Sequence, residues 1–368
     1  MKKVLVSIIS DHNVPNYLLA KEFETEIDEH ILLATEIMSN KAKYLMKTIK
    51  LKQQKIITIS EESMRDIVMV IEKATDSIDA EYIVNLTGGN KLMALAVYHC
   101  FLNKKASIYY LPIDKNKIIK ISPEIKDQTL NIRANLLDYL SLYGKELEKN
   151  NNINFCHFDR LKANDFLKRY AMFSENDKKM LAELNGIRND SENKNKIKKN
   201  KKLDLSDKGE LISFLNLKAG VLLENGIISK ESLEYVLGGW LEEYVYYLCK
   251  EQIREEFIGI NVYLKTFNSS CPPDEFDVIF LFSNCLYVVE CKTRINDAIM
   301  KDSIIKIKAL TSRETGINVK RFIVTMNSIS EVSEANKNRA KEYGIKILYK
   351  ENVMNNELLF QDLINKKE

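Results

Sequence analysis

The chain has 368 residues, and its 55 Lys and Arg against 52 Asp and Glu leave a net charge of only +3, so overall charge indicates neither a polyanionic nor a membrane partner. This length predicts about two domains, each with its own core. No CxxC pair occurs among the six cysteines, and the four histidines form no ligand pattern with them; this argues against structural zinc and a disulfide framework and favours a reduced, cytoplasmic protein. The opening MKKVLVSIIS lacks a cleavage site, and no apolar run reaches the length of a membrane span, so we expect a first β-strand and no membrane association.

Residues 1 to 125 alternate short apolar runs with longer helical patterns. Amphipathic segments separate the runs, and the one that begins at Ser63 starts with a residue that suits an N-cap. This order predicts an α/β domain with an open, mostly parallel sheet. The five predicted strands are Lys3 to Ile9, His30 to Ala34, Lys55 to Ile59, Tyr82 to Leu86 and Ser107 to Leu111.

Polar residues follow several of these strands, at the end of the sheet where such folds bind ligands. They are Ser10 and Asp11 after the first strand, Thr35 after the second, and Thr87, Gly88, Gly89, Asn90 and Lys91 after the fourth. The last group opens directly into a helix, so its glycines let the backbone approach an anion, the helix N–H groups point at it, and Lys91 adds a positive charge. We therefore predict a phosphate-binding site.

The alternative for this turn is structural: Gly88 and Gly89 would only form a tight turn, and Lys91 would be solvated. The patterns GxGxxG and GxxxxGK[ST] are both absent from the sequence. Ordinary dinucleotide binding and P-loop nucleotide binding are therefore disfavoured.

The pattern of residues 126 to 230 predicts a mostly helical linker region. Within it, residues 189 to 202 form the hydrophilic run NDSENKNKIKKNKK. This run fits either a flexible loop or a basic contact to nucleic acid, and its low apolar content favours the loop.

Residues 231 to 368 mix helices with several strands. The predicted order is a helix (Leu233 to Ile253), a strand (Ile260 to Thr266), a hairpin within 276 to 292, a helix (Asp297 to Thr311), a strand (Lys320 to Thr325), a helix (Glu331 to Tyr343) and a strand (Ile345 to Tyr349). This predicts a second α/β domain.

The hairpin FDVIFLFSNCLYVVECK carries the most informative residues of the chain. Asp277 stands near the start of one strand, and Glu290 and Lys292 lie on one face at the end of the next. Two carboxylates suit Mg²⁺ or Mn²⁺, and a lysine stabilises a hydroxide or a phosphorus-bound oxyanion, so the trio suits metal-assisted phosphodiester hydrolysis. The alternative is that these charged residues are simply solvated strand ends.

The first helix of this region presents one apolar stripe formed by Trp240, Leu241, Tyr244, Val245 and Leu248. Glu242 and Glu243 lie about equally far from the centre of the stripe, so helical spacing cannot decide which of them, if either, turns toward the metal.

Together these residues resemble a known family. The order of elements around Asp277, Glu290 and Lys292 looks like the restriction-endonuclease-like PD-(D/E)xK core, and the sequence GGWLE at 238–242 looks like that core in CRISPR-associated proteins. Residues 1 to 125 are similar to the CRISPR-associated Rossmann fold, or CARF, sensor domain, which has a Ser/Asp loop after its first strand and a TGG[NT]K-like turn after its fourth. The order of the two halves resembles the ancillary nucleases of type III CRISPR immunity.

The resemblance implies a fold, an activator and a set of roles. The fold would be a Rossmann-like CARF sheet at 1–125, joined through 126–230 to a nuclease domain at 231–368, in a homodimer activated by cyclic tetra-adenylate. The metal ligands would be Asp277 and Glu290, with Lys292 assisting the nucleophile and Glu242 an auxiliary acid. The ring would contact Ser10, Asp11, Thr35, Thr87, Gly88, Gly89, Asn90 and Lys91. Family substrates are supercoiled DNA, which is nicked, and single-stranded DNA or RNA. The literal Pro-Asp pair is absent, because Asp277 follows Pro-Pro-Asp-Glu-Phe.

Three alternatives belong to other functional classes. A CARF transcription regulator would bind DNA through the helical middle without catalysis. A CARF ribonuclease of the HEPN type needs an Arg a few residues before a His, and none of the four histidines has an Arg in the preceding seven positions. A ring nuclease would degrade its own activator, and nothing in the sequence decides for or against it.

Overall fold

The structure, a computed structural model, describes residues 1–76, 78–112, 115–149, 151–311 and 319–364, without the side chains of 356–358. The last four residues of the predicted nuclease region, 365–368, lie outside the described part. Within it, no helix is long and apolar enough to cross a membrane.

The N-terminal part alternates strands and helices as predicted. The bounds are β1 (Lys2–Ile8), α1 (Val14–Glu22), β2 (Glu29–Ala34), α2 (Ser39–Ile49), β3 (Gln54–Thr58), α3 (Met64–Thr75), β4 (Ala80–Asn85), α4 (Lys91–Leu102), β5 (Ala106–Tyr110), β6 (Lys117–Ser122) and β7 (Lys126–Thr129).

These strands form one seven-stranded sheet in the order β3-β2-β1-β4-β5-β6-β7. The first five strands are parallel, and β6 and β7 add an antiparallel edge that the sequence interpretation lacked. Helices cover both faces, because the strands are buried and apolar on both sides. The sheet reaches Thr129, so it extends past the predicted limit at residue 125.

The middle of the chain is mostly helical. Its elements are α5 (Leu136–Leu142), β8 (Lys145–Leu147), α6 (Arg160–Ala171), α7 (Glu175–Asn189), α8 (Ser191–Asn200), β9 (Lys202–Asp204), α9 (Gly209–Leu217) and β10 (Ile227–Ser229). The strands β9 and β10 pair with each other, whereas β8 pairs with the C-terminal sheet.

The hydrophilic run at 189–202 is not a loop, so the favoured sequence interpretation was wrong. Helix α8 occupies most of it. The Asp190 side chain caps the helix by accepting the N–H groups of Glu192 at 3.0 Å and Asn193 at 3.2 Å. Glu192 also pairs with Lys196 one turn later, and Ile197 is buried. A good cap, an i,i+4 ion pair and one buried apolar anchor are enough to stabilise a helix that composition alone disfavours.

The C-terminal part builds a six-stranded sheet in the order β15-β14-β13-β12-β11-β8. Its bounds are α10 (Lys230–Glu234), a kinked turn (Tyr235–Gly239), α11 (Trp240–Lys250), β11 (Ile258–Thr266), β12 (Asp274–Phe282), β13 (Cys285–Lys292), α12 (Asp297–Leu310), β14 (Val319–Thr325), α13 (Glu334–Glu342), β15 (Ile345–Leu348), α14 (Lys350–Val353) and α15 (Asn356–Ile364).

The predicted hairpin is β12 and β13. Ser283 and Asn284 form its two-residue turn with φ of 50° and 59°, the left-handed pair that a tight hairpin turn needs. The one long predicted helix is divided into α10 and α11 by a kinked turn at Tyr235–Gly239. The kink falls at Gly238, whose φ of 162° and ψ of −30° are not helical.

Candidate active site and sensor site

The end of the β12–β13 hairpin brings the predicted acidic and basic residues together. Asp277 and Glu290 are only 5% and 4% exposed. Lys292 Nζ lies 3.3 Å from Asp277 Oδ2 and 2.9 Å from Glu290 Oε1, and it donates to the carbonyl oxygen of Cys291 at 3.1 Å. Three protein oxygens therefore converge on one ammonium group.

A backbone contact fixes the orientation of Asp277. The N–H group of Cys291 on the neighbouring strand donates to Asp277 Oδ2 at 2.7 Å. Burial, together with the nearby charge of Glu290, raises the pKa of Asp277 to about 6. The carboxylate is thus held in place, and added positive charge would favour its ionised form.

Helix α11 supplies Glu242 from the other side of the site. Burial and the negative charge of Asp277 raise the pKa of Glu242 well above its ordinary value. Glu242 interacts electrostatically with Asp277, Lys292 and Glu290 of the hairpin, so it is the glutamate that faces the hairpin. Burial alone would lower the pKa of Lys292, but the charges of Asp277 and Glu290 outweigh that effect and raise the pKa.

Glu243 points elsewhere and has a structural role. It is 2% exposed, and its carboxylate accepts the N–H groups of His157 at 2.6 Å and Phe158 at 3.3 Å. Helix α11 is thereby attached to the loop before α6. The choice that helical spacing left open is decided by this contact with a distant loop.

Glu243 should make stability depend on pH. Burial raises its pKa to about 7 from an ordinary 4.5, so between these values the folded chain binds a proton that the unfolded chain releases. Stability is expected to fall as pH rises through that window, and Glu243→Gln should lessen the fall. Thermal melting at several pH values measures this, with the exposed Glu183→Gln as control. The prediction would be contradicted if the melting temperature of Glu243→Gln differed from that of wild type by the same amount at every pH.

Lys306 on α12 is a member of the site that the sequence interpretation missed. Its ammonium lies 2.9 Å from Glu290 Oε1 and 3.0 Å from Glu290 Oε2. The sequence gives no signal for this role, because Lys306 belongs to no recognisable motif and α12 lies beside β13 only in the folded chain. With Lys292 it supplies two positive charges beside the carboxylates of Asp277 and Glu290.

The oxygen donors present fit a divalent metal. In the described ranges, no three His, Cys, Asp or Glu side chains are grouped closely enough to hold a metal ion. Two carboxylates and the carbonyl of Cys291 nevertheless meet around the Lys292 ammonium, and Mg²⁺ usually takes one or two carboxylates, with water and phosphate completing its shell. The ammonium groups of Lys292 and Lys306 supply positive charge beside these carboxylates.

The sensor residues lie where the strand order of the N-terminal sheet reverses. β1 has β2 on one side and β4 on the other, so the segments that follow β1 and β4 flank this switch point. A Cβ at Gly88 would lie 1.9 Å from the carbonyl oxygen of Ile8 and 3.5 Å from Ser10 Oγ. The two segments therefore touch, and Gly88 is required by their close approach.

Several predicted sensor side chains are already used within the protein. The Thr87 hydroxyl donates to Asn85 at 2.7 Å and accepts the N–H of Leu111 at 2.8 Å. Asn90 caps α4 by accepting the Met93 N–H at 2.9 Å, and its amide donates to the carbonyl of Glu61. Both residues therefore shape the turn.

The remaining predicted residues differ in exposure. Ser10 donates to the carbonyl of His12 at 3.3 Å, and Thr35 is buried. Asp11, Gly89 and Lys91 are exposed. Gly89 has φ of 72°, a value that favours glycine. Among the predicted side chains, Asp11, Asn90 and Lys91 are thus the exposed ones, and of these Asn90 is already engaged in the cap of α4.

A buried asparagine network supports this end of the sheet, and sequence interpretation missed it. Asn85 donates to Asn16 at 2.8 Å, Asn16 donates to the carbonyl of Ile8 at 2.9 Å, and Asn13 donates to the carbonyl of Lys41 at 2.9 Å. All three are at most 1% exposed. Asn13 and Asn16 follow the first strand in sequence, and this position could have indicated that they lie at the carboxyl end of the sheet.

The N-terminal and the C-terminal parts of the chain each match a known protein family. Residues 4–139 match the family described as "Card1 CARF domain", and residues 229–363 match "Card1-like, endonuclease domain". The chain thus carries a Card1-type CARF domain followed by a Card1-like endonuclease domain. This confirms the predicted family and the predicted α/β fold of the two halves. The endonuclease match also decides against a transcription regulator without catalysis.

Solved structures share the fold over nearly the whole chain. Can2 from Sulfobacillus thermosulfidooxidans, in complex with cyclic tetra-adenylate, is 22% identical with a TM-score of 0.74, over 99% of this chain and 100% of that one. Protein VC1899 from Vibrio cholerae is 18% identical with a TM-score of 0.76, over 98% and 97%. A type III CRISPR defence DNA nuclease activated by cyclic oligoadenylate is 16% identical with a TM-score of 0.54, over 90% of this chain and 48% of that one. Comparison with curated proteins gives no match.

Proposed function

We propose that this nuclease needs Mg²⁺ or Mn²⁺, that cyclic oligoadenylate, in particular cyclic tetra-adenylate, activates it, and that it acts in type III CRISPR antiviral defence in the cytoplasm. Its proposed substrate is DNA, cleaved or nicked, with single-stranded RNA as a second substrate. The observation that carries this proposal is the convergence of Asp277, Glu290 and Lys292 with Glu242 inside an endonuclease domain that follows a CARF domain.

Asp277 and Glu290 are the proposed metal ligands, with the carbonyl of Cys291 beside them. When bound, the ion would activate a water molecule and neutralise charge on the phosphate. The two lysine ammonium groups would then be released from the carboxylates. Lys292 lies closest to the shared oxygens and is proposed to stabilise the attacking hydroxide and the charge that builds on phosphate oxygens. Lys306 would hold a neighbouring phosphate oxygen.

Glu242 is proposed as the auxiliary acid. Burial and the charge of Asp277 raise its pKa well above the ordinary value, so the protonated form of this carboxyl group is favoured. A protonated carboxyl donates a hydrogen bond, which neither metal ligand can do while ionised. This separation of roles among three carboxyl groups follows from their different surroundings.

The activator is proposed to bind at the switch point of the N-terminal sheet. Its phosphates would lie near Ser10, Asp11, Thr35 and the turn at 87–91, where Lys91 adds positive charge and the N-terminus of α4 offers N–H groups. A cyclic tetra-adenylate ring has two-fold symmetry, so a homodimer that contributes one such loop and turn from each protomer would match it. The cyclic tetra-adenylate complex of Can2 supports this choice of ring.

The test combines metal and activator. Purified protein with Mn²⁺ should cut supercoiled plasmid or labelled single strands when cyclic tetra-adenylate is present, and much less without it, because the ligand must favour the active arrangement. Gel analysis of the products measures this, with rings of three and six adenylates as controls. Chelator-resistant cleavage would contradict the metal mechanism. No cleavage of any nucleic acid would contradict the proposed activity.

A further inference from the structure

A polar pocket of about 640 Å³ lies beside the nuclease site, and Glu242 forms part of its wall. Glu242 also interacts electrostatically with Asp277 and Lys292. The pocket therefore begins at the edge of the proposed cleavage site. Its volume lies in the range of small-molecule binding sites, and nothing in the cleavage mechanism accounts for it.

An exposed aromatic ring lines this pocket. Phe155 is 54% exposed, although large apolar side chains are usually buried. Its ring packs edge-on against His157, with 5.2 Å between centroids and 84° between planes. The pocket is thus lined by the exposed ring of Phe155, which packs against the ring of His157.

The loop that carries Phe155 is attached to the domain on both sides. Before Phe155, the carbonyl of Ile153 accepts the Ile260 N–H at 2.7 Å, and Asn154 accepts the Tyr246 hydroxyl at 3.1 Å. After it, the N–H of His157 donates to Glu243. A side chain on a fixed loop loses little conformational freedom on binding, so Phe155 is pre-organised as a contact surface.

The charges of the pocket wall suit a base better than a phosphate. Glu234, Glu242 and Glu275 line it, opposed by Arg188. The carboxylates of Glu234 and Glu275 repel a phosphate but accept hydrogen bonds from the exocyclic amino group of adenine, cytosine or guanine. The positive charges of the site lie instead with Lys292 and Lys306, where the cleaved phosphate is proposed to bind.

Gly238 keeps space in the same wall. A Cβ at this position would meet nothing within 4 Å, so packing does not require glycine here. A larger side chain would extend into the open space beside the pocket.

We propose that this pocket receives one unpaired, amino-bearing nucleobase next to the cleaved phosphate, stacked on Phe155; the inference rests on the nuclease function proposed above. An unpaired base is free to leave the stack and present its face to an aromatic ring, whereas a paired base must first be extruded. The pocket would thus favour single-stranded or locally melted substrate.

The test pairs a protein change with a substrate change. Activated wild type should cut a single-stranded oligonucleotide about ten- to a hundredfold more slowly when one abasic site is placed at a single position relative to the cut. Phe155→Ala should slow cleavage of the normal oligonucleotide by a similar factor, and the abasic site should then cause little further loss. Phe155→Trp should keep the wild-type rate, and Leu161→Ala, an exposed apolar residue of α6, is the matched control.

The outcomes separate the pocket from the nuclease function. Independent losses, in which the abasic site slows Phe155→Ala as much as wild type, would overturn the pocket while leaving the nuclease intact. So would a Phe155→Ala protein that cuts at the wild-type rate. A wild-type protein that cuts plasmid but no single-stranded oligonucleotide would overturn the pocket alone, and one that cuts no nucleic acid would overturn both proposals. Because Phe155 is exposed, unchanged thermal melting of the variant excludes unfolding as the cause.

Discussion

Asp277→Asn should reduce cleavage by at least about a thousandfold, and Glu290→Gln should do the same. Each change removes one of the two negative charges proposed to hold the metal, a loss of several kcal/mol of transition-state stabilisation. In the Asp277→Asn variant the amide oxygen of the new side chain can still accept the Cys291 N–H, so the hairpin should remain intact. Initial cleavage rates at saturating Mn²⁺ and activator measure the effect.

Asp274→Asn is the matched control for this prediction. Asp274 is the first residue of β12, three positions before Asp277, and it directly follows the Pro-Pro pair. We expect this variant to keep most of the activity. Equal losses in the two strand variants, or activity retained in Asp277→Asn, would contradict the assignment of Asp277 as the metal ligand.

The second large effect should come from Gly88→Ala, which is expected to weaken activator binding by about a hundredfold or more. Its new Cβ would lie 1.9 Å from the carbonyl oxygen of Ile8, so the turn and the end of β1 must separate. The N–H groups that are proposed to face the phosphates would move with the turn. Titration calorimetry with cyclic tetra-adenylate measures the affinity, and activator-dependent cleavage provides a second measurement.

A glycine in open space is the control. Gly186→Ala on α7 adds a Cβ that meets nothing within 4 Å, so activator affinity should stay at the wild-type value. Lys91→Ala keeps the turn and removes one charge, so its loss should be smaller, about tenfold or more. Wild-type affinity in both Gly88→Ala and Lys91→Ala would place the activator elsewhere.

The sequence was most informative where chemistry depends on local spacing. The alternation in β12 and β13 placed Asp277, Glu290 and Lys292 correctly, because strand periodicity and a two-residue turn determine the register of a hairpin. The five parallel strands were also recognisable, since buried strands form nearly continuous apolar runs.

Contacts between distant segments could not be predicted. Glu242 and Glu243 are equivalent by helical spacing, and only the loop at 157–158 distinguishes them. Lys306 acquires its role because α12 packs beside β13. The hydroxyl of Thr87 suggested a phosphate ligand, yet its partners Asn85 and Leu111 come from the folded turn. Helix α8 depends on a cap and one buried residue within a polar run.

The short strand β8 has a mechanical consequence. His12 in the sensor loop contacts the hydroxyl of Tyr143 at 2.6 Å, and only Gly144 separates Tyr143 from β8, an edge strand of the nuclease sheet. Only one residue therefore joins the His12 contact to the edge strand of the C-terminal sheet. A displacement of the sensor loop is expected to shift β8 directly. A hybrid that exchanges sensor domains between relatives has to keep this spacing, so its junction belongs beyond Leu147.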